Sequence, residues 1–294
     1  MSDIRPRRSV LYMPGANERA LEKAKTLPAD CLILDLEDAV APDAKLEARE
    51  RVCAAVKAGG YEPREVIIRI NGLDTEWGLD DLEAAAEAGP DGILATKVIG
   101  GEDIVRLNDA LTRSGASDDF ALWVMIETPL SILNIQEIAA EAGRTRLSAF
   151  VMGTNDLAKD MRAEMTPDRV AFTTSLSLSV AAARAYGLVA IDGVYNDIKN
   201  EAGFNDEAVQ GRVLGFDGKT LIHPSQVGPC NTVFAPSEDA VAQAKDVIAA
   251  FADPDNAGKG VLKVNGKMTE LLHLEEAKRL VGVADAIAAF EAAS

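Results

Sequence analysis

The stretch Cys31-Leu-Ile-Leu-Asp-Leu-Glu-Asp38 is a short apolar run that ends in acids, and the chain repeats this design. Eight such runs occupy residues 10–13, 31–34, 66–68, 93–95, 121–126, 149–152, 188–191 and 220–222. Most end in a charged or polar residue of catalytic type: Asp35, Arg69, Lys97, Glu127, Asn155 with Asp156, Asp192 and His223; the first ends in the turn Pro14-Gly15. Between them lie stretches with Ala, Leu, Glu and Lys at helical spacing. Eight strands alternating with helices predict an α/β fold, a (β/α)8 TIM barrel. In that architecture the active site lies at the carboxyl ends of the strands, so the run-ending residues are the candidate chemistry.

The 294 residues exceed the roughly 250 of a typical barrel, so a small extension is expected. With 48% apolar residues the chain can build a large core. No run reaches the ~18 apolar residues of a membrane span, and the charged N-terminal stretch gives no signal peptide. Three scattered cysteines exclude a disulfide framework and fit a reducing cytoplasm. A net charge of −17 argues against a nucleic-acid partner. Against that balance, residues 1–25 gather Arg5, Arg7, Arg8, Arg19, Lys23 and Lys25, which suits a phosphate-bearing ligand.

The barrel is expected to span residues 1–252. Asn17 caps its first helix, and Thr128-Pro129 starts the helix after the fifth strand. Residues 253–260, rich in Asp, Gly and Pro, read as a linker. Asn265-Gly266 between alternating residues predicts a tight hairpin, followed by a last helix over residues 273–290. The extension, residues 253–294, is not needed to close the barrel and is expected to cap a barrel mouth, a neighbour's.

Glu127 and Asp156, at adjacent strand ends, form an oxygen site suited to Mg2+. Arg69 inside an apolar run must be paired, either with Asp35, Glu37 or Asp38, or with a substrate carboxylate or oxyanion. Gly153 lets the backbone amides near Asn155 and Asp156 approach a small acid. Lys97 is a poor candidate for a Schiff base, and Asp192 reads as structural.

Several stretches carry a resemblance. Arg8-Ser-Val-Leu-Tyr-Met-Pro-Gly-Ala-Asn17, Leu34-Asp-Leu-Glu-Asp-Ala-Val-Ala-Pro42, Arg69-Ile-Asn-Gly72, Glu127-Thr-Pro129, Gly153-Thr-Asn-Asp156, Asp192-Gly193 and Gly218-Lys-Thr-Leu-Ile-His-Pro224 resemble the citrate lyase β-subunit-like family of the HpcH/HpaI aldolase superfamily. That family includes malyl-CoA lyases and malyl-CoA thioesterases. The resemblance implies Mg2+ on Glu127 and Asp156 and a CoA-thioester substrate. It implies Arg69 on the acyl oxygen, Asn155 and Asp156 near the small acid, Tyr12 and Lys23 at the CoA site, and Ile222 and His223 in the acyl pocket. It also implies a homotrimer or homohexamer in which the tail reaches a neighbouring barrel.

Family lyases carry an aspartate in this tail as the acid–base group; the matching position here, after Gly266-Lys-Met-Thr, is Glu270. A longer side chain shifts the base relative to the α-carbon, so the expected reaction is hydrolysis of (3S)-malyl-CoA to malate and CoA. The alternative is carbon–carbon cleavage of malyl-CoA, β-methylmalyl-CoA or citramalyl-CoA. A CoA-independent pyruvate-type aldolase and a non-catalytic acyl-CoA-binding barrel are the remaining readings. The basic segment around Lys23 argues against the first, and the set Arg69, Glu127, Asp156 and Glu270 against the second.

Overall fold

The computed structural model describes residues 4–293, so residues 1–3 and 294, at the ends of the expected units, lie outside the described part. It divides into two compact units, residues 7–234 and residues 4–6 with 235–293.

The larger unit is a closed barrel of eight parallel strands in sequential order. They are β1 (Ser9–Pro14), β2 (Cys31–Asp35), β3 (Glu65–Arg69), β4 (Gly92–Ala95), β5 (Ala121–Ile126), β6 (Leu147–Met152), β7 (Val189–Asp192) and β8 (Gly218–Leu221). β1 pairs with both β2 and β8, which closes the ring. Every predicted run is found, its ends displaced by two residues at most.

Strand alternation splits the core in two. Val10, Ile33, Ile67, Leu94, Trp123, Met125, Val151 and Ile191 point inward and fill the barrel. Leu11, Leu32, Leu34, Ile68, Ile93, Val124, Phe150 and Leu221 point outward, under the surrounding helices. The inward set has a consequence at the carboxyl end. Counting in twos from Ile33, Ile67 and Met125 reaches Asp35, Arg69 and Glu127, so the same period that builds the core aims these side chains into the mouth. Register adds to this, because Asp35 lies directly opposite Arg69.

Local signals act as expected. Asn17 Oδ1 accepts from the amide of Ala20 at 3.2 Å and caps helix Glu18–Ala24. Thr128 and Ser131 cap each other at the start of helix Pro129–Leu133. That helix breaks at Asn134 and resumes as Ile135–Ala140.

The unit boundary falls at residue 234 rather than 252. The eighth barrel helix is Val227–Phe234, which packs on β1 and β8. Helix Glu238–Ala252 packs on the last helix and on the hairpin, so it belongs to the smaller unit. That hairpin is β9 (Val261–Val264) with β10 (Lys267–Glu270), antiparallel, turning through Asn265 and Gly266 at φ 49° and 80°. Both central residues are left-handed, as a two-residue hairpin of this kind requires. The last helix, Leu271–Ala293, is longer than expected at both ends.

Among the described residues no helix is long and apolar enough to cross a membrane. Cys31, Cys53 and Cys230 form no disulfide with one another, and Cys31 and Cys230 are buried.

Candidate active site

A cavity of about 440 Å³ opens at the carboxyl end of the barrel, lined among others by Tyr12, Asp35, Arg69, Met125, Asn155, Asp156, Asn196 and Ile222. Its volume suits a small organic acid with part of a larger carrier outside.

Arg69, only 8% exposed, is surrounded by acids. Its Nε and Nη2 donate to Asp35 Oδ1 and Oδ2, both at 2.7 Å, a bidentate pair. Nη1 lies 2.9 Å from Glu37 Oε2 and 3.6 Å from Asp38 Oδ2. The Tyr12 ring stacks on the guanidinium at 4.7 Å. Asp35 is itself fixed by the amides of Glu37 and Ala39. The ion-pair reading of Arg69 is therefore found, and the paired guanidinium also lines the cavity. Burial pushes the Glu37 carboxyl up to about 7, against the pull of Arg69. Burial also keeps the Tyr12 hydroxyl protonated far above its usual range.

Glu127 sits one residue past β5 and is 1% exposed. Its Oε1 accepts from the backbone amide of Lys97 at 2.7 Å. The Lys97 ammonium lies 3.4 Å from Glu127 Oε1 and 2.9 Å from Asp156 Oδ2. One cation thus bridges the two carboxylates that the sequence pairs. Burial raises the Glu127 carboxyl above its ordinary value even with Lys97 beside it. Burial acts to raise Asp156 too, but the hydrogen bond and charge of Lys97 outweigh it and hold that carboxyl below its usual range.

Gly153 explains how Glu127 and Asp156 come together. A Cβ at Gly153 would lie 2.4 Å from the Cβ of Glu127 and 3.0 Å from its Oε2. Only glycine admits the close approach of the loop after β6 to the end of β5. Helix Thr154–Met161 begins immediately after it, so the free amides of its first turn lie at the cavity wall. Asn155 and Asn196 exchange side-chain hydrogen bonds at 2.7 and 3.3 Å and close one side.

Other expected residues lie elsewhere. Ile222 lines the cavity, but His223 does not. The His223 Nδ1 instead accepts from the amide of Ser225 at 3.2 Å and caps the short turn Pro224–Gln226. The structure thus gives the His223 ring a local capping role beside the lining residue Ile222. Asp192 is fully buried between Arg169 and Lys219, as a structural residue should be. The basic N-terminal segment divides. Arg8 is held by Asp30 and Arg7 by Glu65, at the amino end of the barrel and away from the cavity. Lys23 is exposed in the last turn of helix Glu18–Ala24. Glu270, in the smaller unit, is exposed at the end of β10, and its amide donates to His273 Nδ1 at 2.9 Å.

Asn196 is a polar lining residue that the sequence pattern does not single out. It lies four residues past the seventh strand, in a loop without periodic signal.

Comparison with known proteins agrees with this geometry. The family model for HpcH/HpaI aldolase/citrate lyase matches residues 8–224. The chain is 49% identical to (3S)-malyl-CoA thioesterase of Cereibacter sphaeroides over 98% of both proteins. It is 36% identical to citrate lyase subunit beta of Escherichia coli, covering 96% of this chain and 94% of that protein. Among solved structures it is similar to CitE of Mycobacterium tuberculosis in complex with magnesium, acetoacetate and coenzyme A. That match has a TM-score of 0.75 and 26% identity, over 94% of this chain and 97% of the other.

Proposed function

The chain belongs to the HpcH/HpaI aldolase/citrate lyase family, and from that premise we propose that it is a Mg2+-dependent enzyme that hydrolyses a malyl-CoA-type thioester to malate and CoA. The observation that carries this reading is the convergence of Arg69, Glu127 and Asp156 at one barrel mouth, beside a cavity large enough for the acyl end. The 49% identity to a (3S)-malyl-CoA thioesterase over nearly the whole chain supports the substrate.

Glu127 and Asp156 fit the metal. They offer two hard oxygen donors, and the place between them already attracts the Lys97 ammonium. Mg2+ is commonly held by one or two carboxylates, the remaining positions going to water and substrate. When bound, the ion supplies Lewis-acid charge for the carboxylate and hydroxyl of the malyl end.

The protein's own groups do the rest. The first-turn amides of helix Thr154–Met161 hold the malyl carboxylate. Asp35 and Glu37 engage three of the five Arg69 N–H groups, which leaves donors for the thioester oxygen. As charge develops on that oxygen, the preoriented guanidinium stabilises it. Glu270 takes a proton from the attacking water; the new C–O bond forms, the C–S bond breaks, and CoA leaves as thiolate, to be protonated. Lys23 lies outside the cavity and binds the phosphates of the CoA portion. The cytoplasm, where such thioesters and free thiols coexist, is the fitting compartment.

Glu270 is delivered by a second copy of the chain, so the active form is a homo-oligomer, a trimer or hexamer. Supporting this, Val261, Met268, Leu271 and Leu272 surround Glu270 with apolar surface, Met268 being 78% exposed. Carbon–carbon cleavage is the second reading, favoured by the relation to citrate lyase beta subunits. There Glu270 moves a proton at the substrate's reacting carbon and hydroxyl rather than at water.

Two expected outcomes test this reading. Lys23→Ala raises KM for the CoA ester severalfold and leaves kcat nearly unchanged, because it removes binding common to ground and transition states. If free malate competes for the site as well as malyl-CoA does, the CoA assignment fails. Glu270→Ala lowers kcat by on the order of 10²–10⁴, as loss of a general base does. Mixing Glu270→Ala subunits with Arg69→Ala subunits then restores part of the rate. No rescue in oligomers shown to be mixed, or a fully active monomer, contradicts delivery by a second copy.

A further inference from the structure

Lys97 touches both proposed metal ligands, yet the hydrolysis described above gives it no task. Its backbone is left-handed at φ 58°, an unfavourable conformation for a residue with a side chain. In that conformation one residue grips Glu127 twice, through its amide at 2.7 Å and its ammonium at 3.4 Å, while the ammonium also reaches Asp156 at 2.9 Å. Two buried or half-buried carboxylates brought this close repel each other unless a proton or a cation lies between them, and here the ammonium reaches both.

We propose that Lys97 is an internal counter-ion that holds the carboxylate pair in its binding arrangement before metal arrives and competes with the divalent ion for it. The ammonium takes one oxygen of each carboxylate, Glu127 Oε1 and Asp156 Oδ2, so an ion shared by those same oxygens would have to replace it. Binding of the ion displaces the ammonium, while the Lys97 amide stays on Glu127 and keeps that ligand in place. The displaced side chain has somewhere to go. Lys97 also lines a separate cavity of about 220 Å³, whose wall carries the carboxylate of Asp74. Asp103, on the same wall, is already committed to the amides of Ile99 and Gly100. Lys97 is therefore a positioning residue that sets how tightly, and with what exchange, the metal is held.

The inference rests on reading Glu127 and Asp156 as metal ligands, and the experiment separates the two claims. Mn2+ is titrated by calorimetry into metal-free wild type, Lys97→Met and Glu127→Gln. Lys97→Met is expected to bind Mn2+ at least tenfold more tightly than wild type. It should also melt at a lower temperature than wild type in chelator, with a larger rise in Tm on adding Mn2+. A purely structural lysine would lower Tm without tightening metal binding. In the unaltered protein, lysine acetylation followed by mass spectrometry should show Lys97 modified several times faster with saturating Mn2+ than without. That measurement decides the matter if Lys97→Met does not fold. Wild type that binds no Mn2+ overturns both the metal site and the role of Lys97. Wild type that binds, with Lys97→Met no tighter or Lys97 no more reactive, overturns the role of Lys97 alone.

Discussion

Alanine at Asp156 is expected to lower Mg2+-dependent turnover by on the order of 10³-fold while leaving the fold intact. The two halves of that result have separate causes. Asp156 lies at the start of a helix, partly exposed at the mouth, and supports little of the core. Its loss leaves Lys97 paired with Glu127, so no buried charge is stranded. What disappears is half of the carboxylate pair, and with it the hold on the ion and on the malyl end. The check is kcat at saturating Mg2+ beside a thermal melt in chelator. Normal activity of Asp156→Ala, or a wild type indifferent to chelator, contradicts the metal assignment.

Arg69→Ala should behave differently, losing both activity and stability. The guanidinium stands in a nearly buried cluster with Asp35 and Glu37. Removing one partner of such a pair leaves uncompensated charge and costs about 3–5 kcal/mol. The loss of a preoriented donor to the developing oxyanion lowers kcat by on the order of 10²–10³. Arg69→Lys keeps the charge but not the bidentate fork, so it should recover part of the stability and little of the rate. Denaturant midpoints and saturating-substrate rates measure the two effects independently. A variant whose KM alone changes would mean that Arg69 only holds substrate, and the catalytic role would fall.

The fold was legible because the barrel core obeys one simple period. Apolar runs of strand length, each ended by a polar residue, recur in order, and right-handed parallel closure leaves little freedom. The inward aim of Asp35, Arg69 and Glu127 follows from the same counting, whereas the pairing of Arg69 with Asp35 and Glu37 is one of the two readings that its burial in an apolar run leaves open. Other features depend on closure in three dimensions. Lys97 was visible as the end of the fourth run, but its bridge between Glu127 and Asp156 appears only when three strand ends meet. Composition alone groups Arg7 and Arg8 with the ligand-facing cations, since a charge count carries no strand direction. They precede β1, so they belong to the end of the barrel opposite the site. Helix Glu238–Ala252 reads like an eighth barrel helix, and only its packing against the hairpin and the last helix assigns it to the smaller unit. The place of His223 at a strand end does not reveal that its ring caps the turn that follows, a contact with Ser225 that only the fold shows.

The most direct test of the central claim is product analysis of purified protein with (3S)-malyl-CoA, with and without Mg2+. Hydrolysis predicts free thiol and malate in equal amounts, dependent on Mg2+ and abolished by chelator. Glyoxylate with acetyl-CoA and no free thiol would contradict hydrolysis and establish carbon–carbon cleavage in its place.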